Sequence, residues 1–405
     1  MRQKFKQTEI GEIPEEWEVS KLGDLVNKMA SGGTPLISVK DYYSGTIPFA
    51  KIEDLTRTQK YVSQTEITIS KKGLENSAAW VVPVNSILYS IYATLGEARI
   101  AAIPLATNQA ILAIITKEEK LNYEFLFYYL NSIKDKLTKY HKETTQKNLT
   151  KHVVSSFQIP LPPLPEQKKI ASVLSTVDAA IEKTSEIIEQ SKQLKKGLMQ
   201  ELLTRGIGHK KFKQTEIGEI PKEWEVIDYY KATLKDSSDF KKLKTKEYQT
   251  IGKYPIVDQG QKLIAGYTNY EDALYKGELP VIVFGDHTLI VKYIDFNFAV
   301  GADGTKIIKA NKQKFIPKFL YYVFLSLNLK SEGYKRHFSK LREQLFVCPP
   351  LPEQKKIAEI LGAADAKIET EVQKREQLQT LKKGLMQDLL TGRVRFPEFI
   401  KGANS

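Results

Sequence analysis

The octapeptide LPEQKKIA stands at Leu164–Ala171 and again at Leu351–Ala358. Two other stretches recur around it. KFKQTEIGEIPEEWEV begins at Lys4 and returns at Lys211 with one change, Glu15 against Lys222. LKKGLMQELLT begins at Leu194 and returns as LKKGLMQDLLT at Leu381. The second copies of LPEQ and LKKG lie 187 residues on, and that of the opening stretch 207 residues on, so the material between them differs by 20 residues. A repeat of this kind decides the architecture before any single element does. Near-identical frames around dissimilar inserts point to one frame serving two specificities. Drift after a plain gene duplication would not spare the frame so selectively.

Each LPEQ run opens a long helix. Pro165 and Pro352 suit the first helical position, and Glu166 and Glu353 stand beside the positive end of the helix dipole. Apolar residues then recur at helical spacing: Ile170, Leu174, Val177, Ile181, Ile188, Leu194, Leu198 and Leu202. The second series is Ile357, Leu361, Ala364, Ile368, Leu378, Leu381, Leu385 and Leu389. Both read as coiled-coil-like stripes. Gly206 and Gly392 stand where a helix cap is expected. A lone helix cannot bury such a stripe. The expectation is that the two, over about 165–204 and 352–391, pair antiparallel and relate the halves by a pseudo-two-fold axis. The alternative is that each lies against another protein. PLPPLPEQ (Pro160–Gln167) contains a PxxP pattern, but it runs straight into a helix, and a stiff junction is the better account.

The predicted layout is a leader (1–19), a variable domain (20–160), a junction with long helix and linker (161–210), a second leader (211–226), a second variable domain (227–347), and a junction, long helix and tail (348–405). The variable blocks are read as α+β. Tyr61–Ser70 and Ala78–Ala93 have strand character, as do Leu279–Gly285 and Thr288–Ile294. Asn122–Leu137 and Pro317–Lys330 read as helices, and both carry FL and YY. Gly301–Lys306 is read as a hairpin turn. His287 beside Asp286 is read as the polar tip of a turn rather than a catalytic pair.

The 405 residues suit two or three domains, and 61 Lys or Arg against 48 Asp or Glu leave a net charge of +13. That excess favours a polyanionic partner, most often nucleic acid. Lysines gather late in each block, over Lys134–His152 and over Lys306–Lys314 with Lys330–Arg342, interleaved with Tyr, His, Asn and Gln. Such mixtures suit phosphate contact with base-edge reading. One cysteine, Cys348, allows neither an internal disulfide nor a Cys-based zinc site. The N-terminus has no apolar run of the signal-peptide kind. Ile100–Ile115, broken by Pro104, Asn108 and Gln109, is too short and too polar to span a bilayer. A cytoplasmic protein is expected.

Motifs of catalysis are missing from the sequence. It contains no GxxxxGK[ST] phosphate loop, no GxGxxG, no HExxH and no Pro-Asp pair. Pro162-Pro163 and Pro349-Pro350 lack the Asp or Asn and the aromatic needed to hold a target amino group. No metal site is expected.

The chain resembles the specificity (S) subunit of type I restriction–modification systems over nearly its whole length. The resemblance is carried by EIPEEWEV, SGGTP with GTIPFAKIEDL, TNQAIL, PLPPLPEQKKIA and LMQDLLTGRVRF, and in the second block by YPIVDQG, VIVFGDHT and AVGADGTKII. It implies two target recognition domains on two antiparallel helices, each reading half of a split DNA site, with the helices fixing the unread gap. It also implies two methyltransferase subunits using S-adenosylmethionine, and nuclease/translocase subunits using ATP and Mg²⁺. No cofactor is then expected in this chain. Polar loop residues near these motifs are the expected DNA contacts: Thr34, Lys51, Tyr92, Gln109, Lys147 and Asn148 in the first domain, and Gln259, Asp286, His287, Thr288, Lys306, Arg336 and Lys340 in the second. Lys168, Lys169, Lys195 and Lys196 are expected to dock partner subunits. Two other readings stay open, a fused enzyme and a stand-alone nucleic-acid-binding scaffold or regulator.

Overall fold

The computed structural model describes residues 4–92, 94–143, 149–238, 240–327, 329–331, 333 and 335–400. The chain divides into two compact units. Met1–Thr184 with Lys374–Ser405 form the first, and Ser185–Gln373 the second. The LPEQ runs open helices Leu164–Leu202 and Leu351–Leu389, each about 58 Å long. In the first unit Ile170, Ala171 and Leu174, near the start of one helix, share a core with Leu385, Met386, Leu389 and Leu390, at the end of the other. In the second unit the roles are exchanged. Leu198, Met199, Leu202 and Leu203 lie in a core with Ile357, Ala358 and Leu361. The pairing is therefore antiparallel, and the stripes are buried near the helix ends, whereas Leu194 and Leu381, expected in them, are exposed.

The repeated leaders fold alike. Phe5–Thr8 pairs with Gly11–Pro14, and Phe212–Thr215 with Gly218–Pro221, in the same register. Gly11 and Gly218 both turn the chain at φ 108°, a conformation that favours glycine. Behind each hairpin a tryptophan, Trp17 or Trp224, is fully buried. A strand after the leader then pairs with a strand from the other end of the variable block: Glu18–Lys21 with Gln158–Leu161, and Glu225–Asp228 with Leu345–Cys348. Part of the proline-rich run, Pro160 and Leu161, is thus a clip strand rather than a free junction.

Between the clips the blocks share a common strand order despite their dissimilar sequences, the first block carrying one further strand in each sheet. In the first, a sheet runs in the order Val26–Ser31, Ile111–Thr116, Ile87–Ser90, Ala98–Ala101, Tyr61–Val62. In the second the order is Thr233–Leu234, Thr305–Ala310, Val281–Gly285, Val291–Ile294. A further sheet in each block holds a parallel pair, Ile47–Ala50 with Leu105–Thr107 and Tyr254–Val257 with Ala299–Val300. The helices Tyr123–Glu143 and Pro317–Ser326 cover the first-named sheets.

The start of each long helix explains why PEQ recurs. Glu166 is fully buried and accepts from Trp17 Nε1 at 3.2 Å. Arg395, in the segment after the opposite helix, donates to both its oxygens at 2.8 Å. Glu353 accepts from Trp224 Nε1 at 2.9 Å, from Ile207 N at 2.9 Å and lies 2.8 Å from His209 Nε2. The next residue does a second job. Gln167 donates to the carbonyls of Lys120 and Pro162 and accepts from Asn122 N. Gln354 does the same with Lys314, Pro349 and Ile316 N. Glutamate fastens the leader and the returning chain, and glutamine fastens the variable block.

Replacing Arg395 with Met should leave Glu166 as a buried charge with no cation, at a cost of about 3–5 kcal/mol. Urea unfolding of the full chain should show it. His209→Ala should cost less, because Glu353 keeps two N–H donors.

Candidate nucleic-acid interface

Parallel strands end at the same edge of a sheet, so the residues that follow them meet. Thr107 is level with Ala50, which puts Lys51 beside Asn108 and Gln109. Asn108 N donates to the Ala50 carbonyl at 3.3 Å. Thr34 reaches this edge from the end of the strand Val26–Ser31, and its hydroxyl donates to Gln109 Oε1 at 2.6 Å, with both side chains exposed. Gly32 permits the approach, because a Cβ there would stand 1.7 Å from the Thr107 carbonyl oxygen. Tyr92 follows the strand Ile87–Ser90 and is exposed. Ile91 beside it donates to Ala110 O and accepts from Leu149 N. Thr34, Lys51, Tyr92 and Gln109 therefore come to one end of the first domain. Lys147 and Asn148 lie outside the described residues.

The second domain builds the same end from other residues. Val257 is level with Val300, and Gly301 N donates to the Val257 carbonyl at 2.9 Å. The strand register makes Gly285 the counterpart of Ser90, so Asp286 and His287 correspond to Ile91 and Tyr92. The counterpart of Leu149 is His337, whose N–H donates to the Asp286 carbonyl at 2.8 Å. Arg336 and Lys335 thus fall where Asn148 and Lys147 fall in the sequence of the first domain. Gln259 joins the loops: its carbonyl accepts from Thr288 Oγ1 at 2.6 Å and its Oε1 from His287 N at 3.2 Å. Gly304 lies against the Gln259 side chain, where a Cβ would collide.

Not every expected contact is presented to a ligand. Asp286 is buried, and its Oδ1 accepts from His337 N and Phe338 N, both at 2.9 Å. Its part is to hold the 335–338 segment in place, not to offer a carboxylate to a base. Lys306 Nζ lies 3.7 Å from Asp286 Oδ2 and above the Phe338 ring. His287 Nδ1 is 3.3 Å from the Lys335 carbonyl. Thr288 and Arg336 are exposed, and Lys340 is half-buried on the short helix Phe338–Arg342.

Two lysines that the sequence did not single out fix these loops. Lys292 is buried, and its ammonium donates to the carbonyls of Asp258 and Lys262. Burial pulls it below the ordinary lysine range, while Asp258 acts the other way. Lys242 donates to Thr305 O at 2.8 Å and is also lowered, first by burial and then by Lys306. In the first domain Lys28 lies 3.5 Å over the ring of Trp80, another contact not foreseen.

Of the four lysines expected to dock partners, Lys168 and Lys196 are exposed. Lys169 lies 3.8 Å from Glu398. Lys195 departs from the expectation, because it is committed inside its own unit to Asp365 at 2.5 Å. Among the described residues no cluster of His, Cys, Asp and Glu has the form of a metal site, and no helix is long and apolar enough to cross a membrane.

The family model for the type I restriction modification DNA specificity domain matches this chain twice, over residues 14–193 and 210–380. A putative type I restriction enzyme MjaX specificity subunit of Methanocaldococcus jannaschii is 32% identical, with 96% of each chain covered. The MjaVIII specificity subunit of the same organism is 30% identical, again over 96% of each. Among solved structures, the type I restriction–modification S subunit from M. genitalium shares the fold, with a TM-score of 0.63 at 17% identity over 96% of this chain and 99% of that one.

Replacing Asp286 with Ala should leave the Phe338 N–H without its acceptor, while the His337 N–H keeps the main-chain carbonyl of residue 286, at a cost of roughly 1–3 kcal/mol. Hydrogen exchange should then quicken at the amide of Phe338, with the cores unchanged. Unaltered protection there would remove Asp286 from this role.

Proposed function

The chain belongs to the type I restriction–modification DNA specificity family, and from that premise we propose that it recognises a split DNA site without performing chemistry on it. The observation that carries this reading is the correspondence of the loop ends. Two blocks of dissimilar sequence bring loops after the same strands to the same sheet edge, and those loops carry Thr34, Lys51, Tyr92 and Gln109 in one block and Gln259, His287, Thr288 and Arg336 in the other. Each domain reads one half-site there, with Lys and Arg on phosphates and amide, hydroxyl and imidazole groups on base edges. Asp286 and Lys306 act by holding the loops. The long helices carry the domains and set the unread gap between half-sites.

The repeated frame gives the partner side of the function. Two copies of one surface suit two copies of one methyltransferase subunit, with Lys168 and Lys196 among the exposed residues offered. Nuclease/translocase subunits join the same complex. S-adenosylmethionine, ATP and Mg²⁺ serve those subunits, and the assembly works on DNA in the cytoplasm.

The test is to co-express the chain with its methyltransferase subunit and map modified adenine in the host DNA. A split motif with an unread centre is expected, and exchange of residues 20–160 should change one half only. A continuous motif would overturn the two-domain reading, and an intact complex with no modification would favour a stand-alone binder. Salt dependence gives a second check. Removing one cation that neutralises a phosphate should reduce the slope of log K against log salt by about 0.9. Arg336→Ala and Lys340→Ala should each do so, and an unchanged slope would take that residue out of the interface.

A further inference from the structure

Each variable domain is tied to the long helices by one arrangement of three side chains. In the first unit the Tyr128 hydroxyl donates to Asp178 Oδ2 at 2.7 Å, and Lys382 Nζ stands 2.6 Å from Asp178 Oδ1. In the second, Tyr322 donates to Asp365 Oδ2 at 2.7 Å, and Lys195 Nζ stands 2.5 Å from Asp365 Oδ1. Each lysine also sits over the ring of the tyrosine, at 5.7 and 5.5 Å. The aspartate and lysine come from the repeated frame, on opposite helices at equivalent positions. The tyrosine comes from the domain helix, in the related runs FLFYYLNS and FLYYVFLS within otherwise dissimilar blocks.

Packing alone does not call for this. Both tyrosines are fully buried, and an all-apolar contact in place of the whole tyrosine–aspartate–lysine set would hold the domain as well or better. A hydroxyl aimed at one carboxylate oxygen, with an ammonium on the other, adds direction: it fixes the angle of the domain helix on the long helices. Direction matters because the long helix is a lever. A tilt of about 3° at one end of about 58 Å moves the other by about 3 Å, close to the 3.4 Å rise of one base pair. The first unit reinforces the joint with Lys60, which donates to Glu124 at 2.6 Å, Ser175 at 2.8 Å and Tyr128 at 3.2 Å.

We propose that Tyr128–Asp178–Lys382 and Tyr322–Asp365–Lys195 are positioning residues that set the length of the unread gap, and that they take no part in reading bases. This rests on the split-site reading above. It extends it by assigning gap discrimination to a joint between domain and helix as well as to helix length.

The experiment uses the full chain in complex with its methyltransferase subunit. Tyr128→Phe, Tyr322→Phe and the double variant keep the rings and lose only the hydroxyls. Asp178→Asn keeps an acceptor for Tyr128 and removes the charge facing Lys382, so it gives a second route should a Phe variant fail to assemble. The readouts are mapped adenine methylation, and rates on duplexes whose gap is one base pair shorter or longer than the wild-type gap. Expected for the variants are unchanged half-site sequences and at least a tenfold loss of discrimination against the altered gaps. A uniform fall in rate or thermal stability with gap discrimination as sharp as in the wild type would overturn the proposal and leave the joint as a stabilising contact only. A continuous motif from the wild type would instead overturn the split-site reading, and this proposal with it.

Discussion

A carboxylate denied water must be met by donors, and at the head of each long helix they come from segments far apart in the chain. Glu166 takes one from the N-terminal leader and two from the C-terminal segment. Glu353 takes its donors from the second leader and from the chain leaving the first long helix. Three segments that also share an apolar core are thus held at one point by charge and hydrogen bonds. The helix dipole adds to this, since both glutamates lie in a first turn. The two points are not copies. A guanidinium is cationic at any working pH, whereas the imidazole of His209 is a donor at both nitrogens only when protonated, and it lies between Glu353 and Glu223.

Glutamine beside glutamate makes the frame general. Gln167 and Gln354 bind mainly main-chain groups, those of Lys120, Asn122 and Pro162 or of Lys314, Ile316 and Pro349, with the Cys348 thiol a further contact of Gln354 at 3.9 Å. A side chain that reads backbone puts no condition on sequence. A variable block can therefore be rewritten while its attachment is kept, provided its strands and helix arrive in the same places. The tyrosines of the domain helices are the exception, because there the frame asks the block for one particular side chain.

Much of this was legible in the sequence because it rests on local pattern. Repeats, helix-start chemistry and apolar spacing gave the two long helices nearly to the residue, and strand and turn signals gave the loop carrying His287. What stayed hidden depends on pairings distant in sequence. That Tyr92 and His287 are counterparts follows only from strand register, since nothing in the surrounding residues is alike. Asp286 looks like any polar loop residue until the main chain of His337 and Phe338 is brought to it. Lys195 reads as a solvated lysine in a basic run, and only the antiparallel partner reveals Asp365 beside it. Lys292 sits in an apolar strand pattern that conceals its polar duty.

The clip strands have a consequence for how these blocks vary in length. Chain enters each block on Glu18–Lys21 or Glu225–Asp228 and leaves on the strand paired with it. The two ends are thereby held side by side whatever lies between, so a block is a closed loop from the frame's standpoint. The entropy of closing such a loop grows only with the logarithm of its length, about 0.6 kcal/mol for a doubling. The 20 residues by which the blocks differ thus change that closure entropy by only a small fraction of 1 kcal/mol. Length is nearly free for the variable part and fixed for the frame, which is the division seen in the offsets of the repeats.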